Sequence, residues 1–186
     1  MSLARNLADL LNSSGKVTNA KLATPGTVLQ VGNRSLSTGA SLSTVGNYDW
    51  QYWSDSEVTF TSVDTNSKWY CNFTGLAAHK SANPISFTLV YKVGAGSWTN
   101  MTAGNLSGGA ETGDLGMTGS SNVGSTDDWN SFSLTAIATV TAAAGSTIYF
   151  RLAMRNGGPS TDVASTTNVV GHGLYNMQMS AMEIKS

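Results

Sequence analysis

Charge is scarce in this chain. Acidic and basic residues fill 11% of 186 positions, less than half the roughly 25% usual in soluble domains. They nearly cancel, leaving a net charge of -1, and the ten basic residues are scattered singly. Without a basic run to track phosphates, nucleic acid is excluded as a partner. Long apolar runs are also missing. None approaches the roughly 20 residues of a membrane span, so membrane insertion is not expected. The single cysteine, Cys71, rules out an intrachain disulfide and a cysteine zinc site. Trp69 and Phe73 alternate with it, which marks Cys71 as a buried structural thiol.

Catalytic constellations are equally thin. The two histidines are His79 and His172, the latter in the flexible turn Gly171-His172-Gly173. There is no Gly-x-Ser-x-Gly elbow, no His-Glu-x-x-His, and no phosphate-binding glycine loop. Asp127 and Asp128 are adjacent, so on a strand they point to opposite faces and do not converge on one glycosidic bond. Glu111 and Asp114 in a glycine-rich segment match no calcium loop spacing. The expectation is a protein that is not an enzyme, with no cofactor and no metal. Disorder does not explain the low charge, because 40% of the residues are hydrophobic.

What the chain does hold is hydroxyl, amide and glycine. Ser and Thr supply about a quarter of the residues and there are 20 Gly, so the surface is polar without being charged. The length suits one domain with an appendage. Leu3, Leu7, Leu10 and Leu11 fall at i, i+4, i+7 and i+8, the stripe of a short amphipathic helix. Ser2 caps its start, and Asn12-Ser13-Ser14-Gly15 stops it. A helix this short is marginal alone, so its leucines need a surface to bury against. Residues 1–24 therefore read as an attachment and assembly segment, and residues 25–186 as the β domain.

From Pro25 onward the pattern is β. Val28 to Arg34 forms a first strand, Val58 to Thr61 a second, and Trp69, Cys71 and Phe73 alternate with Tyr70, Asn72 and Thr74. Ile85, Phe87, Leu89, Tyr91 and Val93 line one face of the clearest strand, and Gly94-Ala95-Gly96 turns it into a hairpin. Phe132, Leu134, Ala136, Ala138 and Val140 alternate again, as do Ile148, Phe150, Leu152 and Met154. The last strand runs from Leu174 to Ile184, with a phase slip at Ala181-Met182 that reads as a bulge or as burial on both faces. The pattern predicts a mainly β protein, an antiparallel β-sandwich of jelly-roll type preceded by the short helix.

Two segments are candidates for binding. Asp49-Trp50-Gln51-Tyr52-Trp53-Ser54-Asp55 carries three aromatics between acidic ends. Trp50, Tyr52 and Trp53 either form a platform for sugar rings, with receptor or glycan contacts, or pack so that Trp50 and Tyr52 enter the core while Trp53 covers an edge. Residues 101–126 read as one long glycine-rich loop, an exposed tip or an inter-subunit clasp.

Several stretches carry a family resemblance. Ser2-Leu3-Ala4-Arg5-Asn6-Leu7-Ala8-Asp9-Leu10, followed by Ser13-Ser14-Gly15-Lys16-Val17, resembles the start of tail-fibre-like virion proteins of tailed phages, of the cyanophage and marine phage type. Pro25-Gly26-Thr27-Val28-Leu29-Gln30-Val31 is similar to the first β strand that follows. Phe60 to Lys68 resembles an internal turn, and Met179-Ser180-Ala181-Met182-Glu183-Ile184 the final strand. The resemblance implies a virion structural protein, made in the host cytoplasm and assembled as a homotrimer, with its N-terminus on the particle and its β domain projecting. The partners it implies are other virion proteins of the baseplate, tail or capsid, and a host-surface glycan. A capsid decoration or cement protein is the first alternative. A non-viral carbohydrate-binding module is the second.

Overall fold

A computed structural model describes residues 25–37, 40–42, 50–78, 85–102, 119–121, 129–156, 168–170 and 177–186. The N-terminal leucine stripe, both histidines, Glu111, Asp114, Asp127 and Asp128 lie outside these residues. Among the described residues the strands in chain order are β1 (Val28–Leu36), β2 (Ala40–Leu42), β3 (Gln51–Tyr52), β4 (Val58–Thr61), β5 (Lys68–Ala78), β6 (Ile85–Val93), β7 (Thr99–Asn100), β8 (Gly119–Ser121), β9 (Trp129–Thr139), β10 (Thr147–Asn156), β11 (Asn168–Val170) and β12 (Met177–Ile184). No helix among them is long and apolar enough to cross a membrane.

The strands form two antiparallel sheets. One runs β1, β12, β5, β9, with the short β11 continuing beside the far end of β5 and β2 flanking β11. The other is built on β10 and β6. Strands β4 and β3 share the free side of β10, while β7 and β8 share the free side of β6. The chain switches sheets repeatedly. The Gly145 turn, with φ of 87° that suits glycine, therefore joins β9 in one sheet to β10 in the other rather than closing a hairpin.

The alternation read from the sequence decides the core. Trp69, Cys71 and Phe73 of β5, Phe87 and Leu89 of β6, Leu134 and Ala136 of β9, and Ile148, Phe150, Leu152 and Met154 of β10 are all buried between the sheets. Aromatic rings bridge the two layers. Trp69 lies 5.0 Å from both Phe60 and Phe150. Toward the other end Phe132 stacks on Phe87 at 4.2 Å and on Phe73 at 5.5 Å. Each such side chain contributes roughly 1.5–3 kcal/mol by leaving water, so the two ring clusters fasten the sheets together. Gly32 of β1 makes room for one of them, since a Cβ at that position would meet the Phe60 ring at 2.7 Å.

Cys71 is buried and free, and burial pushes its thiol well above the ordinary range. Such a thiol is unreactive in the folded protein.

Strand β12 corrects the sequence reading in one respect. Its burial alternates without a slip from Met177 to Ile184, and the inward position that breaks the apolar pattern is Glu183, fully buried. The irregularity lies instead on its partner β1, between Val28 and Gln30. The Glu183 carboxylate is satisfied by the turn linking β4 to β5. It accepts from the backbone N–H of Val63 at 3.0 Å and of Asp64 at 3.1 Å, from Ser67 Oγ at 2.7 Å and Ser62 Oγ at 3.2 Å, and from the Gln30 amide. Glu183 is thus a staple between the last strand and a turn distant in sequence.

The long loop expected over 101–126 is also corrected in part. Gly119–Ser121 form β8, paired with Ile85–Phe87 of β6.

Candidate functional site

The inward residues of β6 and β10 fill the core, so their alternate residues face outward. Tyr149, Arg151 and Ala153 of β10 stand opposite Lys92, Val90 and Thr88 of β6. This outer face is not bare. Val90, Ala153 and Thr88 are fully buried, and Trp50 packs over Val90 and Ala153 with Tyr52 and Trp98 beside it.

Parity explains which aromatics arrive there. Tyr52 pairs with outward-facing Ala153, so Trp50, two residues earlier, shares its side, and Trp53 points to the opposite one. Trp53 is held by reciprocal bonds to β10. Its N–H donates to Leu152 O at 3.0 Å, and its carbonyl accepts from Ser56 Oγ at 2.7 Å while Leu152 N–H donates to that same hydroxyl at 2.9 Å. The short 3-10 turn Ser54–Ser56 closes this knot. Trp53 then packs in the core, 6.1 Å from Phe73.

The structure divides this segment differently from either sequence reading. Trp53, proposed as a receptor contact, is withdrawn into the core. Trp50 and Tyr52 do share a face, and Trp50 is buried as the packing alternative expects, in a second small cluster with Val90 and Ala153 on the other side of the sheet from the main core, with Tyr52 half-buried against it.

On that face an aromatic and cationic array is laid out. The Tyr52 and Trp98 rings are nearly parallel, with centroids 5.5 Å apart and 18° between planes. Lys92 Nζ lies 5.0 Å from the Trp98 centroid and 4.7 Å from that of Tyr149, and the Arg151 guanidinium lies 4.8 Å from Trp98. Arg151 is committed to Glu57, with Nη2 and Nε at 2.7 and 2.8 Å from Oε2. Lys92 has no such carboxylate, since the ion pairs among the described residues are Arg151–Glu57 and Lys185–Asp64. Burial also raises the Tyr52 phenol above its ordinary value. The array sets aromatic rings, two cations and phenolic hydroxyls side by side on one surface.

Sequence reasoning missed Trp98, Lys92, Tyr149 and Arg151. Each sits at an outward position of a strand or beside one, which the alternation does show. Their convergence depends on the pairing of β6 with β10, which no local pattern reveals.

The outer face of the first sheet differs in character. Register aligns Val31, Met182, Tyr70 and Ile137 into one row across its four strands. Val31 and Ile137 are each 61% exposed. The neighbouring row holds Asn33, Ser180, Asn72 and Thr135. There the Asn72 amide donates to Thr135 Oγ1 at 3.0 Å and to Leu134 O at 3.1 Å. Among the described residues no three His, Cys, Asp or Glu side chains are gathered to hold a metal.

No family model matches the chain, and no curated protein compared with it is similar enough to match. The functional reading accordingly rests on the chain's own residues and geometry.

Proposed function

We propose that this protein is a non-enzymatic virion component of a tailed phage, a tail fibre or similar appendage, whose β domain recognises a host-surface glycan through the outer face of the β6–β10 sheet. The observation that carries the recognition half is the convergence of Tyr52, Trp98, Lys92 and Tyr149 on one outward surface. The virion half rests on the resemblance of the chain's opening, first strand, internal turn and closing strand to tail-fibre-like proteins. Residues 1–24 then serve as the handle, with Leu3, Leu7, Leu10 and Leu11 buried against other chains of a homotrimer or against the particle.

Strand order β1, β12, β5, β9 in one sheet and β4, β10, β6, β7 in the other, with the chain passing back and forth between sheets, supports a jelly roll. That architecture recurs in viral capsid and lectin domains. The support is by analogy of fold and is compatible with both halves of the proposal.

A capsid decoration role is the second reading, favoured by the nearly uncharged face with the Val31, Met182, Tyr70 and Ile137 row, since the cores of protein interfaces are depleted in charge. One experiment addresses both. Deleting residues 1–24 should abolish incorporation into the particle while leaving a folded β domain, and normal incorporation of the truncated chain would refute the attachment role. Electron microscopy of particles bearing the labelled full chain then separates tail from capsid.

A further inference from the structure

Two cations sit among the rings of the outer face, but they are not equivalent. Arg151 is neutralised at close range by Glu57, which takes both its Nη2 and its Nε. Lys92 faces two ring centroids, 5.0 and 4.7 Å away, and no carboxylate among the described residues pairs with it. Ring faces hold an ammonium in place through their quadrupoles without supplying the charged acceptor that its three N–H donors can take. Lys92 is half-buried and its ammonium is held over the Trp98 and Tyr149 rings, so it has less side-chain freedom to lose on pairing than a free surface lysine.

We infer that the glycan taken by this face is an acidic one, whose carboxylate or sulfate pairs with Lys92 at the margin of the Tyr149 and Trp98 rings. This rests on the glycan reading above and narrows it to anionic pyranosides. A neutral sugar would leave the ammonium without an anion. An acidic sugar completes a charge-assisted hydrogen bond in a partly desolvated place, where such bonds are strongest. Arg151 contributes differently. Its guanidinium stays with Glu57 and keeps Trp98 covered and oriented, so it is a positioning residue.

Isothermal titration of the full chain with three oligosaccharides of equal length tests this: oligogalacturonate for carboxylate, sulfated dextran for sulfate, and plain dextran as the neutral probe. The expected result is binding of at least one acidic oligomer over plain dextran, with the better of the two naming the anionic group. Lys92→Gln should weaken that binding roughly tenfold, as loss of a hydrogen bond between charged groups does. Lys92→Arg should retain most of it, which guards against a variant that simply misfolds. Lys68→Gln, on the other sheet, changes the net charge equally and should have no effect. Equal affinity for plain dextran, or equal weakening by Lys68→Gln, would overturn the inference while leaving a glycan-binding face intact. Failure of all three oligomers to bind would overturn both this inference and the reading beneath it.

Discussion

The Trp98 ring lies almost parallel to Tyr52, 5.5 Å between centroids, although Tyr52 sits on the edge strand β3 and Trp98 just before β7 at the opposite edge of the same sheet. They meet over the buried pair Val90 and Ala153, whose small outward side chains leave room for large rings to lie across the strands. The contact spans β10 and β6, so it covers the sheet's outer face as well as presenting aromatic surface to solvent.

That geometry separates recognition from stability. Trp98→Ala removes a half-buried ring and one stacking contact and should cost about 1–2 kcal/mol. Trp69→Ala opens the core between Phe60 and Phe150 and should cost about 3–5 kcal/mol. Urea denaturation of both variants measures the difference. Equal losses would mean that Trp98 is a core residue rather than a surface one.

Glu183 should be intolerant of even an isosteric change. In Glu183→Gln one carboxylate oxygen becomes an N–H donor facing the Val63, Asp64 and Ser67 donors that it now accepts from. A destabilisation of about 2–4 kcal/mol is expected, with the β4–β5 turn losing hydrogen-exchange protection first. Unchanged stability in Glu183→Gln would show that the carboxylate does not hold this turn.

Gly32 should resist enlargement. Its missing Cβ is the space taken by the Phe60 ring, and that ring is itself wedged against Trp69 and Phe150. Gly32→Ala should cost about 1–3 kcal/mol by overpacking, and Gly32→Ala combined with Phe60→Leu should recover part of the loss. Thermal denaturation of the single and double variants checks the coupling.

Cys71 links stability to alkaline pH. Burial raises its thiol above the ordinary value of about 9 in the folded chain. Above pH 9 the unfolded state therefore releases a proton that the folded state keeps, and stability falls as pH rises beyond that point. Cys71→Ala should flatten this fall between pH 9 and pH 10.5, measured by denaturation midpoints. A thiol reagent should label the native protein only as fast as it unfolds. Rapid labelling under native conditions would contradict the burial.

The core was legible because period-two alternation is a local signal. Phe87 with Leu89, Ile148 with Phe150 and Leu152, and Trp69 with Cys71 and Phe73 fall inward as their spacing requires. Three features were not legible, for three physical reasons. The phase slip expected at Ala181-Met182 is absent because the polar Glu183 holds an inward position, and its compensation comes from a turn about 120 residues away. Trp50, Tyr52 and Trp53 alternate as expected, yet which face is inward is set by pairing with Ala153, a long-range fact. The short strands β2, β8 and β11 have three residues each, too few for any period to register. The leucine stripe Leu3, Leu7, Leu10 and Leu11 is a sequence expectation about residues outside those described.

The claim that the outer face of the β6–β10 sheet recognises glycans is tested most directly on a glycan array probed with the full chain and its Trp98→Ala, Tyr149→Ala double variant. The account predicts discrete binding by the native chain that the folded double variant loses. Undiminished binding by that variant, or no binding by the native chain, would contradict it.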